Sequence, residues 1–511
     1  MVNKFLLFVI ILLIPSICYC QIYTQWQDCI GGIGSDHGES VIQINSNHYI
    51  IAGMTNSIDG DFNENNGDSD AFVAMLDSSR NIVWQNCYGG SNSETIRKII
   101  QTNDGGFACF GYTESNDFDV SGNHGELDFW LIKINSNGNL EWQKCYGGSD
   151  NEHSYSIIQT NDNGYLLVGD TYSYDGDAID NNGFQDCFLV KTDSMGNIEW
   201  NHCYGGTDGD KACAVIQTYD NGYLISGGSS SNDIDVSGNH GGSDLWVFKI
   251  DSVGNLNWQK CYGGSEGDGA YDMQQINNNE IVIAGVTNSN DGDVTGHHGL
   301  SDYWIISIDT IGCLNWQKCY GGSHPDGLLS FYYTSNKEFI LAGGSYSSDG
   351  DINSHIGSLD CWIVKLDSVG NLIWEKSFGG TGIEQAISIS QTADESAVFI
   401  GATESNDVDI SGNHGSYDIL LAKLGNINQV DEIKNNSLIN LFPNPANHNI
   451  QISHNELVKK VEIYNMVGEL KSSINSNNMS ISLNIGSYAN GVYLIKIITS
   501  NNIYKSKFIK E

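Results

Sequence analysis

Asn139-Leu-Glu-Trp-Gln-Lys-Cys-Tyr-Gly-Gly148 opens a unit that decides how this chain folds. It is a short alternating run closed by two glycines. Tyr155-Ser-Ile-Ile-Gln-Thr160 follows, then the turn Asn161-Asp-Asn-Gly164, then Tyr165-Leu-Leu-Val-Gly169. A long acidic loop leads to Asp186-Cys-Phe-Leu-Val-Lys-Thr192 and a second turn, Asp193-Ser-Met-Gly-Asn197. Four short β-branched and aromatic runs separated by Asn, Asp and Gly read as four strands. No segment of the unit holds a 3.6-residue apolar period.

The unit recurs. Tryptophan returns every 58 residues at Trp26, Trp84, Trp142, Trp200, Trp258, Trp316 and Trp374. A fixed period of this size marks a repeat architecture. Four strands in each of seven copies predict an all-β fold, a seven-bladed β-propeller, because radial repetition leaves only short, protected edges. The alternative is a stacked all-β solenoid, which would want polar caps. The ends favour the ring. Gln25-Trp-Gln-Asp-Cys29 is a fourth strand with no first three before it, and Asp418-Ile-Leu-Leu-Ala-Lys-Leu424 is a third strand with no fourth after it. Together they complete one blade, so the two termini should latch the circle.

Composition limits the partners. The 511 residues carry 62 acidic and 23 basic side chains, a net charge of −39, and only Arg80 and Arg97 are arginines. Phosphate binding wants dense Lys and Arg, so nucleic acid is excluded as a partner. Such a charge keeps an exported protein soluble or binds cations. Residues 1–20 read as a secretory signal: Lys4, an apolar run from Phe5 to Ile14, and Cys18-Tyr-Cys20 before Gln21. That run is too short to cross a bilayer, and no transmembrane segment is expected later. Six cysteines sit at one place in the repeat, at Cys29, Cys87, Cys145, Cys203, Cys261 and Cys319, and Ser377 takes the seventh. Equivalent places on neighbouring blades lie too far apart to bond. Small apolar packing is the expectation, with a bond inside one blade, such as Cys187 to Cys203, left open. No spacing suggests zinc.

The loop between second and third strands is where chemistry is expected. In its second copy Asp117, Asp119, Ser121 and Asp128 stand at places 1, 3, 5 and 12. The same places hold Asp233, Asp235, Ser237 and Asp244, then Asp291, Asp293, Thr295 and Asp302, then Asp407, Asp409, Ser411 and Asp418. In these four copies glycine takes place 6, as Gly122, Gly238, Gly296 and Gly412. The arrangement resembles an EF-hand calcium loop, with Asp in place of the bidentate Glu at place 12. That resemblance implies Ca2+ held by these sixteen residues. The competing reading is that Asp and Asn side chains cap backbone amides. The third copy, with Ile179 and Asp180 at places 5 and 6, should bind worst.

A second acidic ring lies ten residues after each Trp: Asp36, Glu94, Glu152, Asp210, Asp268, Asp326 and Glu384. It is either a ring of carboxylates at the channel mouth or a set of local acceptors for the amides after each Gly-Gly pair. Both acidic sets should emerge on one face, because fourth-to-first and second-to-third connections share an end of an up-and-down blade. His124, His240, His298 and His414 read as solvated turn residues. Asp251-Ser-Val-Gly-Asn-Leu-Asn-Trp258 resembles the tryptophan-docking turn of quinoprotein propellers, which implies Trp packing between blades and nothing about a cofactor.

The period ends at Leu424. The expected domains are the signal at 1–20, the propeller at 21–424, a polar linker at 425–438 and a small β-sandwich of about seven strands at 439–511. Residues 431–511 carry +2, leaving −41 on the rest. Leu441-Phe-Pro-Asn-Pro-Ala446, Val461-Glu-Ile-Tyr-Asn-Met-Val-Gly468, Asn490-Gly-Val-Tyr-Leu-Ile-Lys-Ile497 and the basic tail Lys507-Phe-Ile-Lys510 closely resemble, in order, the type A C-terminal sorting domain of the Bacteroidetes type IX secretion system. The resemblance implies recognition by that machinery through residues 439–511, removal by a sortase-like protease, and release or attachment at the outer cell surface.

No nucleophile stands beside a base, and no blade departs sharply from the repeat. The expected function is therefore a secreted or surface-displayed binding and adhesion module with a glycan or protein partner and calcium-stabilised loops. The alternative is a carbohydrate-active lyase or hydrolase using ring carboxylates such as Glu152. Trp130, Trp246, Trp304 and Trp362 are expected in strand packing, and would stack sugars only if exposed.

Overall fold

The computed structural model describes residues 23–62, 65–425, 439–465, 470–499 and 503–510. The signal segment and nearly all of the linker lie outside them. The chain divides into two compact units, Met1–Asn426 and Ile427–Glu511.

The first unit is seven four-stranded antiparallel sheets in sequence order. In sheet three the strands are Glu152–Gln159, Tyr165–Thr171, Asp186–Thr192 and Ile198–Tyr204. The third strand is buried along its whole length because another sheet packs on each of its faces, which is why it reads as one apolar run. The fourth strand is half exposed and forms the outer edge. Sheet seven is composite. Tyr23–Ile30 pairs with Asp418–Gly425, from Tyr23 opposite Gly425 to Ile30 opposite Ile419.

The first strand of each sheet packs on that of the next, and the first strand of sheet seven packs on that of sheet one. The circle is closed, as a seven-bladed propeller requires. Its core is a set of layers between neighbouring sheets. The layer that closes it joins Ile30, Val398, Ile400 and Ile419 to Val41, Ile51 and Phe72. The repeated Trp does its work across these boundaries. The Trp142 ring meets Tyr165 in an edge-to-face contact at 6.1 Å and lies against Gly196 of the following sheet. Gly196 has φ +77°, and a Cβ there would strike the indole. Tyr146 of the Cys-Tyr-Gly-Gly run donates to the Gly196 carbonyl at 2.6 Å.

One open point closes and one expectation needs correction. Phe188 faces Cys203 and Tyr204 faces Cys187, so neighbouring residues put the two thiols on opposite faces of the sheet. Neither Cys187 nor Cys203 is in a disulfide. Among its described residues the second unit is one five-stranded sheet, where a sandwich of about seven strands was expected. Asn449–Asn465 runs through 17 residues as a single strand. A shift of register between Ser453 and Val458 lets it pair with Ile439–Phe442 near its start and with Gly491–Thr499 further on. Among the described residues no helix is long and apolar enough to cross a membrane.

Candidate functional site

The acidic loops do emerge with the fourth-to-first connections on one face. Gln185, just before a third strand, bridges in parallel to Gly209 of the next connection, and Ser69 does the same with Ser93. Inside the loops, most of these side chains accept hydrogen bonds from the protein itself. At place 1, Asp117 accepts from the Ser91 amide and Asp233 from the Thr207 amide, at 2.8 and 2.9 Å. Asp291 and Asp407 accept from Ser265 and Thr381, both at 2.8 Å. At place 3, Asp235 and Asp293 receive long bonds from Gly205 and Gly263, at 3.3 and 3.4 Å. Burial raises the carboxyls of Asp119 and Asp235 above the usual range. At place 5, Ser121, Ser237 and Ser411 accept from Gln143, Gln259 and Gln27, and Thr295 from Gln317. The Gln143 amide oxygen also receives Trp130 Nε1 at 3.0 Å. At place 12, Asp128, Asp244, Asp302 and Asp418 each hold the histidine four residues earlier at 2.6–2.7 Å. Those histidines are therefore pinned to the loop. Among the described residues no group of three or more His, Cys, Asp or Glu is gathered to hold a metal ion. An ion bound in the EF-hand manner would have to take the place 1 and place 5 oxygens from the amides that now hold them.

The second acidic ring is buried in every sheet. Glu152 accepts from the Gly148 amide at 3.0 Å and from the Thr171 hydroxyl at 2.6 Å. It is a local acceptor, and no catalytic carboxylate at an open mouth. Its neighbour is unexpected. Asp128 Oδ1 and Glu152 Oε2 both lie where a Cβ on Gly147 would sit, and the same bracket surrounds the first glycine of all seven Gly-Gly pairs. The second residue of each bracket is a place 12 Asp, so seven buried carboxylate pairs join adjacent sheets. In six of them the Asp Oδ1 is buried with no hydrogen-bond partner. Burial, reinforced by the paired charge, pushes the Asp70 carboxyl up to about 6, and Glu152 and Asp186 up to about 7.

The ring departs from its own symmetry at one place. A basin of about 780 Å3 opens on the loop face over sheets two, three and four. Arg97, His153 and Lys211 line it with Tyr112, Tyr155, Tyr172 and Phe184, and the remaining wall is Ser, Gln, Gly and Leu. No Asp or Glu lines it, in a chain where acids outnumber bases almost three to one. Arg97 pairs with Glu39 at 2.9 Å and lies over the Tyr112 ring. His153 Nδ1 meets Asp170 Oδ1 at 2.9 Å, a bond that raises the imidazole's pKa. Phe184 is 67% exposed at the rim and packs edge-on to Tyr172, with ring centres 5.3 Å apart.

These residues come from the columns in which the repeat varies. Every first strand has a bulge, and the extra residue is Glu39, Arg97, Tyr155, Cys213, Tyr271, Leu329 or Ile387. Bulges re-aim a side chain beside functional sites. Two places earlier stand His37, Thr95, His153, Lys211, Gly269, Gly327 and Gln385. These columns differ in every sheet, and sheets two to four are the ones whose basic and aromatic side chains meet in the basin. A comparison of the copies for where they differ would have found it. Trp130, Trp246, Trp304 and Trp362 are wholly buried and offer no sugar platform. A narrower cavity of about 270 Å3 along the axis is lined by all seven first strands, with Lys98 and Asp272 its charged groups.

Residues 440–511 match the secretion system C-terminal sorting domain family. The chain is thus a type IX secretion sorting-domain protein, delivered to the cell surface or the extracellular space. The chain is similar to the regulatory protein FlaEY of Caulobacter vibrioides, 26% identical over 377 residues, covering 66% of this chain and 38% of that protein. The chain therefore spans well under half the length of that relative. Among solved structures, PorZ of Porphyromonas gingivalis, an essential surface component of its type IX system, aligns with 11% identity and a TM-score of 0.30 over 92% of this chain and 69% of that one. The extracellular domain of a hybrid two component system from B. thetaiotaomicron aligns with 11% identity and a TM-score of 0.38 over 96% and 60%.

Proposed function

We propose that this chain is a ligand-binding protein of the cell surface. Its seven-bladed propeller is the binding module, and residues 439–511 serve its export through the type IX machinery. The ligand docks in the basin over sheets two to four. One observation carries the reading: in the columns where the repeat varies, sheets two to four bring three basic side chains and four aromatic rings into one basin whose lining holds no Asp or Glu. Sites concentrate where a rigid scaffold presents variable side chains. Surface adhesion follows if the ligand belongs to another cell or to a matrix. The hydrolase alternative loses support because the acidic ring is buried and engaged. A screen of the ring region against glycan and protein arrays, repeated with Tyr172→Ala and Phe184→Ala, tests the proposal. Hits should vanish in both variants. Hits that survive both place the site elsewhere.

A further inference from the structure

The cations of the ring follow an order that leaves the first-strand lysines, Lys98 in the axial cavity and Lys211 in the basin, outside it. Lys133, Lys191, Lys249, Lys365 and Lys423 occupy one register of the third strand, and each is buried against a carboxylate at 2.7–3.1 Å. Arg80 pairs with Asp28 and Arg97 with Glu39. Lys211 belongs to no such series. It stands alone in its column, on the first strand of sheet four, and lines the basin. Among the described residues no carboxylate comes within ion-pair distance of its amine, which instead lies 5.5 Å from the centre of the Tyr271 ring.

Asp170, which attracts Lys211 from behind the wall, lies beyond ion-pair distance and already holds His153, so the half-buried ammonium loses hydration without a direct carboxylate contact. In a chain of net charge −39, a carboxylate partner would be easy to supply. The wall around Lys211 lacks one. It has instead half-buried tyrosines and serine hydroxyls beneath an exposed phenyl ring. Aromatic faces take the apolar face of a sugar, and hydroxyls and amides take its polar edge.

We infer that the basin binds an acidic saccharide, with the sugar ring against Phe184 and Tyr172 and its carboxylate or sulfate on Lys211. This rests on the basin being the ligand site. Arg97 and His153 flank the same anion. Asp170 and Glu39, behind them, hold both side chains in place rather than face the ligand.

The test is calorimetric titration of the whole chain with four probes: an oligogalacturonate, the matching neutral oligogalactose, a sulfated oligosaccharide and oligoglutamate. The variants are Lys211→Met, Phe184→Ala and, as a control on the exposed outer strand, Lys144→Met. Either acidic saccharide should bind, and the stronger of the two distinguishes carboxylate from sulfate. Lys211→Met should weaken it about tenfold or more, as loss of a charged hydrogen bond does. Phe184→Ala should weaken it too, Lys144→Met should not, and all three should keep the parent melting temperature. Equal binding of the neutral oligomer, lost in Phe184→Ala but not in Lys211→Met, overturns the anion and keeps the basin. Binding indifferent to both basin variants overturns both. Oligoglutamate alone binding, through Lys211, overturns the saccharide. No heat with either acidic saccharide overturns the inference, while the array screen still judges the basin.

Discussion

The outer and inner strands of the ring follow opposite rules. Along the outer edge, Trp, Cys, Tyr and the Gly-Gly pair return in nearly every copy, and each meets the neighbouring sheet in the same way. Trp142 lies on Gly196, Tyr146 bonds its carbonyl, and Asp128 and Glu152 bracket Gly147. Along the inner strand, the bulged position carries six residue types in seven copies. Packing between sheets tolerates one solution and repeats it. The channel mouth has no such constraint, so its residues are free to differ, and where they differ together a site forms.

The comparison can be broken in several ways. The largest effect should come from removing Tyr23–Ile30. Its loss leaves Asp418–Gly425 as an open edge strand and strips the layer that joins sheets seven and one. Cooperative unfolding should give way to a broad transition at much lower denaturant, read by calorimetry. A sharp transition at the parent midpoint would mean the circle needs no latch. Next comes Trp130→Ala. The side chain is wholly buried and holds Gln143, so the loss should be about 3–5 kcal/mol in denaturant titration.

A smaller effect separates protons from cations at the carboxylate pairs. A carboxyl raised in the fold binds its proton more tightly there than in the unfolded chain. Its contribution is therefore fully present below the ordinary carboxyl range and is lost as pH rises through the folded value. For Asp70, Glu152 and Asp186, with folded values of about 6 and 7, that window runs from the ordinary carboxyl range up to about pH 7. The melting temperature should fall as pH is raised across it. Asp186→Asn should flatten that slope at little cost, because the amide mimics the protonated acid. A chelator should then change little. If calcium sits in the loops or between the pairs, the outcome reverses: chelation lowers the melting temperature sharply, and Asp186→Asn destabilises. The smallest effect belongs to Phe184→Ala. An exposed rim ring should change stability by no more than about 0.5 kcal/mol, by the same denaturant titration, while abolishing binding.

Much of the ring was legible because its signals are local and repeated seven times. Strand runs, the Asn-Gly turns, the shared seventh sheet and the common loop face all follow from spacing and turn chemistry. The basin was not. Each of its residues is unremarkable alone, and only the closed circle brings Arg97, His153 and Lys211 within one cavity. The carboxylate pairs escaped for a similar reason: Asp128 and Glu152 read as members of two separate rings until the fold sets them around one glycine. The EF-like spacing was visible, yet spacing does not say whether an oxygen faces an ion or an amide. In the tail, turn and strand signals do not show that Asn449–Asn465 runs on as one strand through a register shift at Ser453–Val458.

One variant tests the division of labour most directly. Tyr155→Leu, Phe184→Ser and Lys211→Gln together give the basin residues that the ring already carries elsewhere, at Leu329, Ser358 and Gln385. Melting and array binding are measured on the same preparation. The account predicts an unchanged melting temperature and no binding. Retained binding, or a ring that no longer folds, would contradict it.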